Sequence, residues 1–129
     1  MSALKNSLDP VQMLCLDGDG IGPEITAATR RVLRAVDDCF DLNLTFTTQD
    51  IGFASLAASG TTFPDKVLDA AKAADGIVMG PVSTIDYPPA SEGGINPSGF
   101  LRKQLDLYAN IRPAKSYEGL PPRVGDKVD

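Results

Sequence analysis

The sequence predicts an α/β fold, a mixed and largely parallel sheet flanked by helices. Three observations carry that reading. Apolar runs short enough for buried strands, VQMLCL at 11–16 and IVM at 77–79, each stop at a glycine-containing turn. Residues 42–47 alternate Leu42, Leu44 and Phe46 with Asn43, Thr45 and Thr47, as a half-buried strand does. Stretches of helical periodicity separate and follow these runs, and strands alternating with helices build parallel sheets through crossovers. A chain of 129 residues suffices for one core.

The first ten residues, MSALKNSLDP, hold one lysine and no apolar h-region, so they are not a secretory signal. They read as a disordered leader over 1–10, with the domain proper over 11–129. The strand at 11–16 runs into DGDGIGPE at 17–24. Beyond it, Ile25, Ala28, Val32, Ala35 and Val36 fall on one helical face, with Arg30, Arg31, Arg34 and Asp37 opposite. Pro23 suits the first helical position and Gly22 can cap it. Strand, glycine loop, helix invites comparison with a dinucleotide fingerprint. The loop, however, is G-x-G-x-G-P rather than G-x-G-x-x-G, and no acidic residue closes a clean second parallel strand. A Rossmann domain is therefore not expected.

Residues 50–60 are rich in small side chains and read as loop with a short helix. A second long helix is expected over 64–73, with Val67, Leu68 and Ala71 inward, ended by Ala74-Asp75-Gly76. The strand at 77–79 then leads into Gly80-Pro81. Residues 82–98 are irregular, because Pro88-Pro89 and Gly93-Gly94 interrupt any continuous element. A loop of that length after a strand C-terminus lies where open α/β sheets bind ligands, and it reads as a mobile active-site loop. A helix over 99–108 follows, with Leu101, Leu105 and Tyr108 inward. Residues 114–129 are polar and broken by glycine and proline.

A net charge of −5 argues against a nucleic-acid surface. No apolar run nears the ~20 residues needed to cross a bilayer, so a cytoplasmic protein with no membrane partner is the expectation. With no histidine and no CxxC, a zinc site from these residues is not expected. Cys15 and Cys39 read as reduced and structural.

Chemistry concentrates in INPSGFLRKQLDLYANIRP, residues 95–113. Arg102 and Arg112 stand with the polar Asn96 and Ser98. A guanidinium fork matches a carboxylate bidentately, so two of them suit a di- or tricarboxylate. On spacing alone another reading stays open: Arg102 pairs with Asp106 four residues on, and Arg112 is a surface charge.

The run RKQLDLYANIRPA at 102–114 resembles the L-R-(K/Q)-x-L-D-L-Y-A-N-(L/I/V)-R-P signature of the β-decarboxylating dehydrogenases, which include isocitrate, 3-isopropylmalate, homoisocitrate and tartrate dehydrogenases. GDGIGPE at 18–24 is similar to the start of that family. The resemblance covers 11–129 and only the opening part of a family member. It implies an isopropylmalate-dehydrogenase-like fold that binds its nucleotide without a Rossmann domain. It also implies an NAD(P)- and metal-dependent oxidative decarboxylase of a 2-hydroxy acid, with NAD or NADP and Mg2+ or Mn2+ as cofactors, working as a homodimer. Arg102 and Arg112 match the family's first two substrate-binding arginines. Asn96 and Ser98 fall where isocitrate-type members carry a serine and an asparagine, here exchanged. Isopropylmalate-type members are apolar in that region, which Ser98 and Gly99 are not. Ser83 matches a position near the nicotinamide, with Thr84 beside it.

By the same resemblance, the third substrate arginine, the catalytic tyrosine and lysine, the metal-binding aspartates and the adenosine-binding loop lie beyond the matched segment. Tyr87, Tyr108, Tyr117, Lys103, Lys115, Asp17 and Asp19 do not take those positions. No catalytic residue and no metal ligand is therefore expected in this chain, and the 129 residues alone are expected to be inactive. The alternative is a short non-catalytic protein that keeps only an anion-binding surface.

Overall fold

The computed structural model describes residues 9–117 and Gly119. Most of the expected leader and the polar stretch at 120–129 lie outside the described residues.

Strand β1 spans Val11–Leu16, with Leu14, Cys15 and Leu16 fully buried. It is the centre of a three-stranded parallel sheet in the order β2-β1-β3, with β2 at Leu44–Gln49 and β3 at Gly76–Met79. Leu14 stands opposite Thr47 on one side and Ile77 on the other. A parallel centre strand covered on both sides carries a continuous apolar run rather than an alternating one, which is why VQMLCL is legible. The edge strand β2 differs from expectation. Leu42 and Asn43 precede it, and Asn43 has φ of +57°. Thr47 and Thr48 are both exposed, so its alternation is not clean.

Helix α1 spans Gly22–Phe40 and its orientation overturns the expected one. Ile25, Ala28, Val32 and Ala35 face outward, with Val32 63% exposed; of the expected inward face only Val36 is half-buried, while Gly22 and Thr26 are buried. The inward face is held by polar contacts. The Thr26 hydroxyl donates to Asp17 Oδ1 at 2.7 Å, and Arg30 donates to Thr48 Oγ1 at 2.9 Å and pairs with Asp17 at 3.6 Å. Asp37 Oδ1 accepts from Leu44 N at 3.1 Å, and the Arg34 guanidinium sits 5.7 Å from the centre of the Phe46 ring. Polar groups whose bonds are met can be covered at little cost. Helical period alone does not say which face the sheet takes. The helix also starts one residue before the expected Pro23, with Ile21 rather than Gly22 at the cap.

The expected short helix is α2, Gly52–Ser59, and the longer one is α3, Asp65–Ala73. Val67 and Ala71 are buried and Leu68 packs beside them, joining Leu14, Leu16, Ile51, Phe63 and Leu101 in one core. Helix α4 spans Pro97–Gln104, earlier and shorter than the expected 99–108. Asn96 caps it, its side chain accepting from Gly99 N at 3.1 Å, and Pro97 supplies a first residue with φ already fixed. Asp106, at φ +48°, ends the helical path. Leu101 is buried and Leu105 half-buried, but Tyr108 is fully exposed, contrary to expectation. Cys39 is exposed as well, so only Cys15 packs in the interior. No helix among the described residues is long and apolar enough to cross a membrane.

Candidate functional site

Because the strands are parallel, their C-terminal ends share one edge, and three loops leave it: one after Leu16, one after Gln49 and one after Met79. A single carboxylate gathers all three. Asp19, 8% exposed, accepts from Phe53 N at 2.8 Å through Oδ1. Its Oδ2 accepts from Ser83 N at 2.9 Å and from the Tyr87 hydroxyl. Asp19 N in turn donates to Pro81 O at 2.8 Å.

Two glycines permit this approach. Gly18 has φ of +75°, and a Cβ there would overlap the Pro81 carbonyl. Gly52 has φ of +70°, and a Cβ there would enter the Asp19 carboxylate. At Gly18, glycine thus brings backbone against backbone, in keeping with a tight turn rather than a pyrophosphate cradle. Tyr87 packs edge-on against Phe53 with ring centres 5.1 Å apart. Burial, then the bond to Asp19, pushes its hydroxyl well above the ordinary tyrosine pKa, so it stays a neutral donor.

Ser83 and Thr84 sit half-buried on this edge, in a turn closed by Asp86 N donating to Ser83 O at 2.9 Å. The loop expected to be mobile is tied down along its length. Besides the Asp19 bonds, buried Thr62 holds its far end. The Thr62 hydroxyl donates to Ile95 O at 2.6 Å and accepts from Ile95 N at 2.7 Å, and Thr62 N donates to Gly93 O at 2.9 Å.

That anchor fixes the start of α4, where three of the four expected substrate contacts gather. Asn96 is the cap, Ser98 lies in the first turn, and Arg102 stands one turn on with its Nε donating to Ser98 O at 3.1 Å. Among the described residues the terminal nitrogens of Arg102 make no bond, and no ion pair joins it to Asp106. The bond to Ser98 instead keeps the half-buried guanidinium over the helix start. Among the described residues no hydrogen bond or ion pair joins Arg112 to this group. Arg112 lies in an exposed, irregular segment after Asp106. Among the described residues no group of three or more His, Cys, Asp or Glu side chains is placed to hold a metal.

A sequence profile described as isocitrate/isopropylmalate dehydrogenase matches residues 12–124. The chain belongs to the isocitrate/isopropylmalate dehydrogenase family. It is 43% identical over 114 residues to 3-isopropylmalate dehydrogenase of Hahella chejuensis, covering 84% of this chain and 31% of that protein. It is 37% identical over 125 residues to the Lactococcus lactis enzyme of the same name, covering 92% and 35%. Among solved structures it is similar to isocitrate dehydrogenase from Methylococcus capsulatus, at TM-score 0.69 and 34% identity over 90% of this chain and 32% of that one. It is also similar to a β-decarboxylating dehydrogenase from Thermococcus kodakarensis, at TM-score 0.63 and 28% identity over 76% and 27%. The chain thus spans about a third of the length of these relatives.

Asp19 and Tyr87 were invisible as a pair in the sequence. They lie 68 residues apart, and only the parallel order of the strands brings them together.

Proposed function

We propose that these residues form the N-terminal part of an NAD(P)- and divalent-metal-dependent dehydrogenase that oxidises and decarboxylates a 2-hydroxy di- or tricarboxylic acid. The observation that carries this is the first turn of α4. One short helix presents the Asn96 amide, the Ser98 hydroxyl and a guanidinium restrained by its Nε bond. A restrained fork loses less entropy on gripping a carboxylate than a free one. Arg112 is proposed to complete the grip from the segment after α4. Ser83 and Thr84 are proposed to meet the nicotinamide side of the nucleotide at the strand edge. The cofactor accepts the hydride and the metal polarises the hydroxyl when bound; the residues here bind and orient.

Asn96 and Ser98 favour a polar acid, isocitrate- or tartrate-like, over isopropylmalate, although the curated relatives named above are 3-isopropylmalate dehydrogenases. Catalytic tyrosine, lysine and metal aspartates are proposed to come from sequence beyond these residues. So are the homodimer contacts. The 129 residues alone are therefore proposed to be inactive, and the working protein to be a soluble cytoplasmic enzyme.

Steady-state kinetics of the native polypeptide with isocitrate, tartrate and isopropylmalate test this. Arg102→Lys is expected to raise the KM for the acid about tenfold or more, since a bidentate contact becomes a point charge. An unchanged KM removes Arg102 from the site. Citrate-like anions bound without any turnover would favour the non-catalytic anion-binding alternative.

A further inference from the structure

We propose that Asp19 is a positioning residue for the nucleotide side of the site, acting through the Ser83 main-chain N–H and the Tyr87 hydroxyl. This rests on the reading that Ser83 and Thr84 meet the nicotinamide.

Asp19 is nearly buried, yet Arg30 pairs with Asp17 and not with Asp19. The Asp19 charge is met by three donors from two other loops, Phe53 N, Ser83 N and Tyr87 Oη. A carboxylate accepting several such bonds is held firmly and holds its donors firmly, because charge-assisted bonds are short and directional. The Ser83 bond is to backbone, so it fixes where the chain turns rather than where one side chain points. Ser83 O accepts from Asp86 N, which closes the turn carrying Thr84. Tyr87 closes the far side of that turn back onto the same oxygen that Ser83 N uses. Both candidate hydroxyls are therefore strung between two donors to one Asp19 oxygen.

The packing leaves no tolerance in side-chain length. At Gly52 even a methyl group would meet the carboxylate, so a glutamate in place of Asp19 lacks room. An asparagine keeps the volume but offers one acceptor where two are needed. Whichever way its amide turns, an N–H of the protein faces an NH2 group, and either Phe53 N or the Ser83–Tyr87 pair loses its acceptor. Placement errors of about 1 Å near a reacting centre can cost ~100-fold in rate.

The test uses the native polypeptide with three single variants, Asp19→Asn, Tyr87→Phe and Gly52→Ala, and a Ser83→Ala/Thr84→Ala control. Expected for Asp19→Asn is a ~10- to 100-fold fall in kcat/KM for the nucleotide, with the KM for the acid within about twofold. The Ser83 and Phe53 amide proton resonances should move upfield together as their charged acceptor is lost. Gly52→Ala is expected to reproduce that pattern from a different loop. Tyr87→Phe keeps both backbone bonds, so it is expected to fold and to show a smaller loss confined to the nucleotide.

A merely structural Asp19 would lower the melting temperature and leave the nucleotide and acid parameters in their original ratio, which overturns the proposal. Should Asp19→Asn fail to fold, Tyr87→Phe decides, and an unchanged nucleotide KM overturns it. If the Ser83→Ala/Thr84→Ala control is silent, the nicotinamide reading fails instead. The amide shifts then decide alone, and a stationary Ser83 resonance in Asp19→Asn refutes positioning.

Discussion

Thr62→Val should loosen the start of α4 and, with it, the proposed substrate grip. Thr62 is fully buried, and valine matches it in shape while removing the hydroxyl. That hydroxyl makes two bonds to one residue, donating to Ile95 O at 2.6 Å and accepting from Ile95 N at 2.7 Å. Each bond contributes about 0.5–1.5 kcal/mol net, and an orphaned buried partner costs about 1–3 kcal/mol. With both Ile95 groups unpaired, a loss of about 2–6 kcal/mol follows. Ile95 adjoins Asn96, so the loss falls directly on the residue that caps α4. Thr62→Ser keeps the bonds and removes a methyl group, for a cost of about 1 kcal/mol. Native-state hydrogen exchange at the Ile95 amide, with urea unfolding of the native polypeptide, reads both variants. Protection at Ile95 should fall ~30-fold or more in Thr62→Val and far less in Thr62→Ser. Equal effects of the two substitutions would refute the reasoning, since the methyl group rather than the hydroxyl would then matter.

Other outcomes follow from the same structure. Tyr87 holds its proton above the ordinary pKa of 10.0, so its contribution is complete below pH 10 and is lost as pH rises beyond it. Stability measured by urea unfolding should therefore fall more steeply above pH 10 in the parent than in Tyr87→Phe. Of the two thiols, exposed Cys39 should react with an aromatic disulfide reagent at once. Cys15 is fully buried, with its pKa raised by that burial, and should react only on unfolding. The isolated 129 residues should bind a hydrophobic dye and aggregate, because Val32, Phe40, Ile85, Leu107 and Ile111 are all more than half exposed. A monodisperse monomer with a cooperative melt would contradict that.

What was legible in the sequence is what local physics decides within a few residues. The apolar run of β1 has the bounds expected of it because a central parallel strand is apolar throughout. The inward face of α3 was readable because its Val67 and Ala71 pack against a core that these residues themselves supply. The apolar side of α1 was equally clear as a pattern, yet among the described residues nothing covers Ile25, Val32 and Ala35. Its other side reaches the sheet through Thr26, Arg30 and Asp37, a polar contact that periodicity marks as outward. The end of α4 was misplaced for a related reason. The apolar residues after it, Leu107, Tyr108 and Ile111, continue a pattern that finds no surface to pack on among the described residues, and Asp106 turns the chain instead. In the site, residue types and the arginine signature pointed to α4, whereas the Asp19 junction depends on strand order and so left no local trace.

The central claim is that Asn96, Ser98 and Arg102 belong to an oxidative decarboxylase, and the most direct test is product stoichiometry. The native polypeptide is incubated with NAD or NADP, Mg2+ or Mn2+, and each of isocitrate, tartrate and isopropylmalate, while reduced nucleotide and carbon dioxide are measured together. The predicted result is one carbon dioxide per reduced nucleotide with at least one acid, and none from the isolated 129 residues. Reduction without carbon dioxide, or no reduction with any of the three acids, would contradict it.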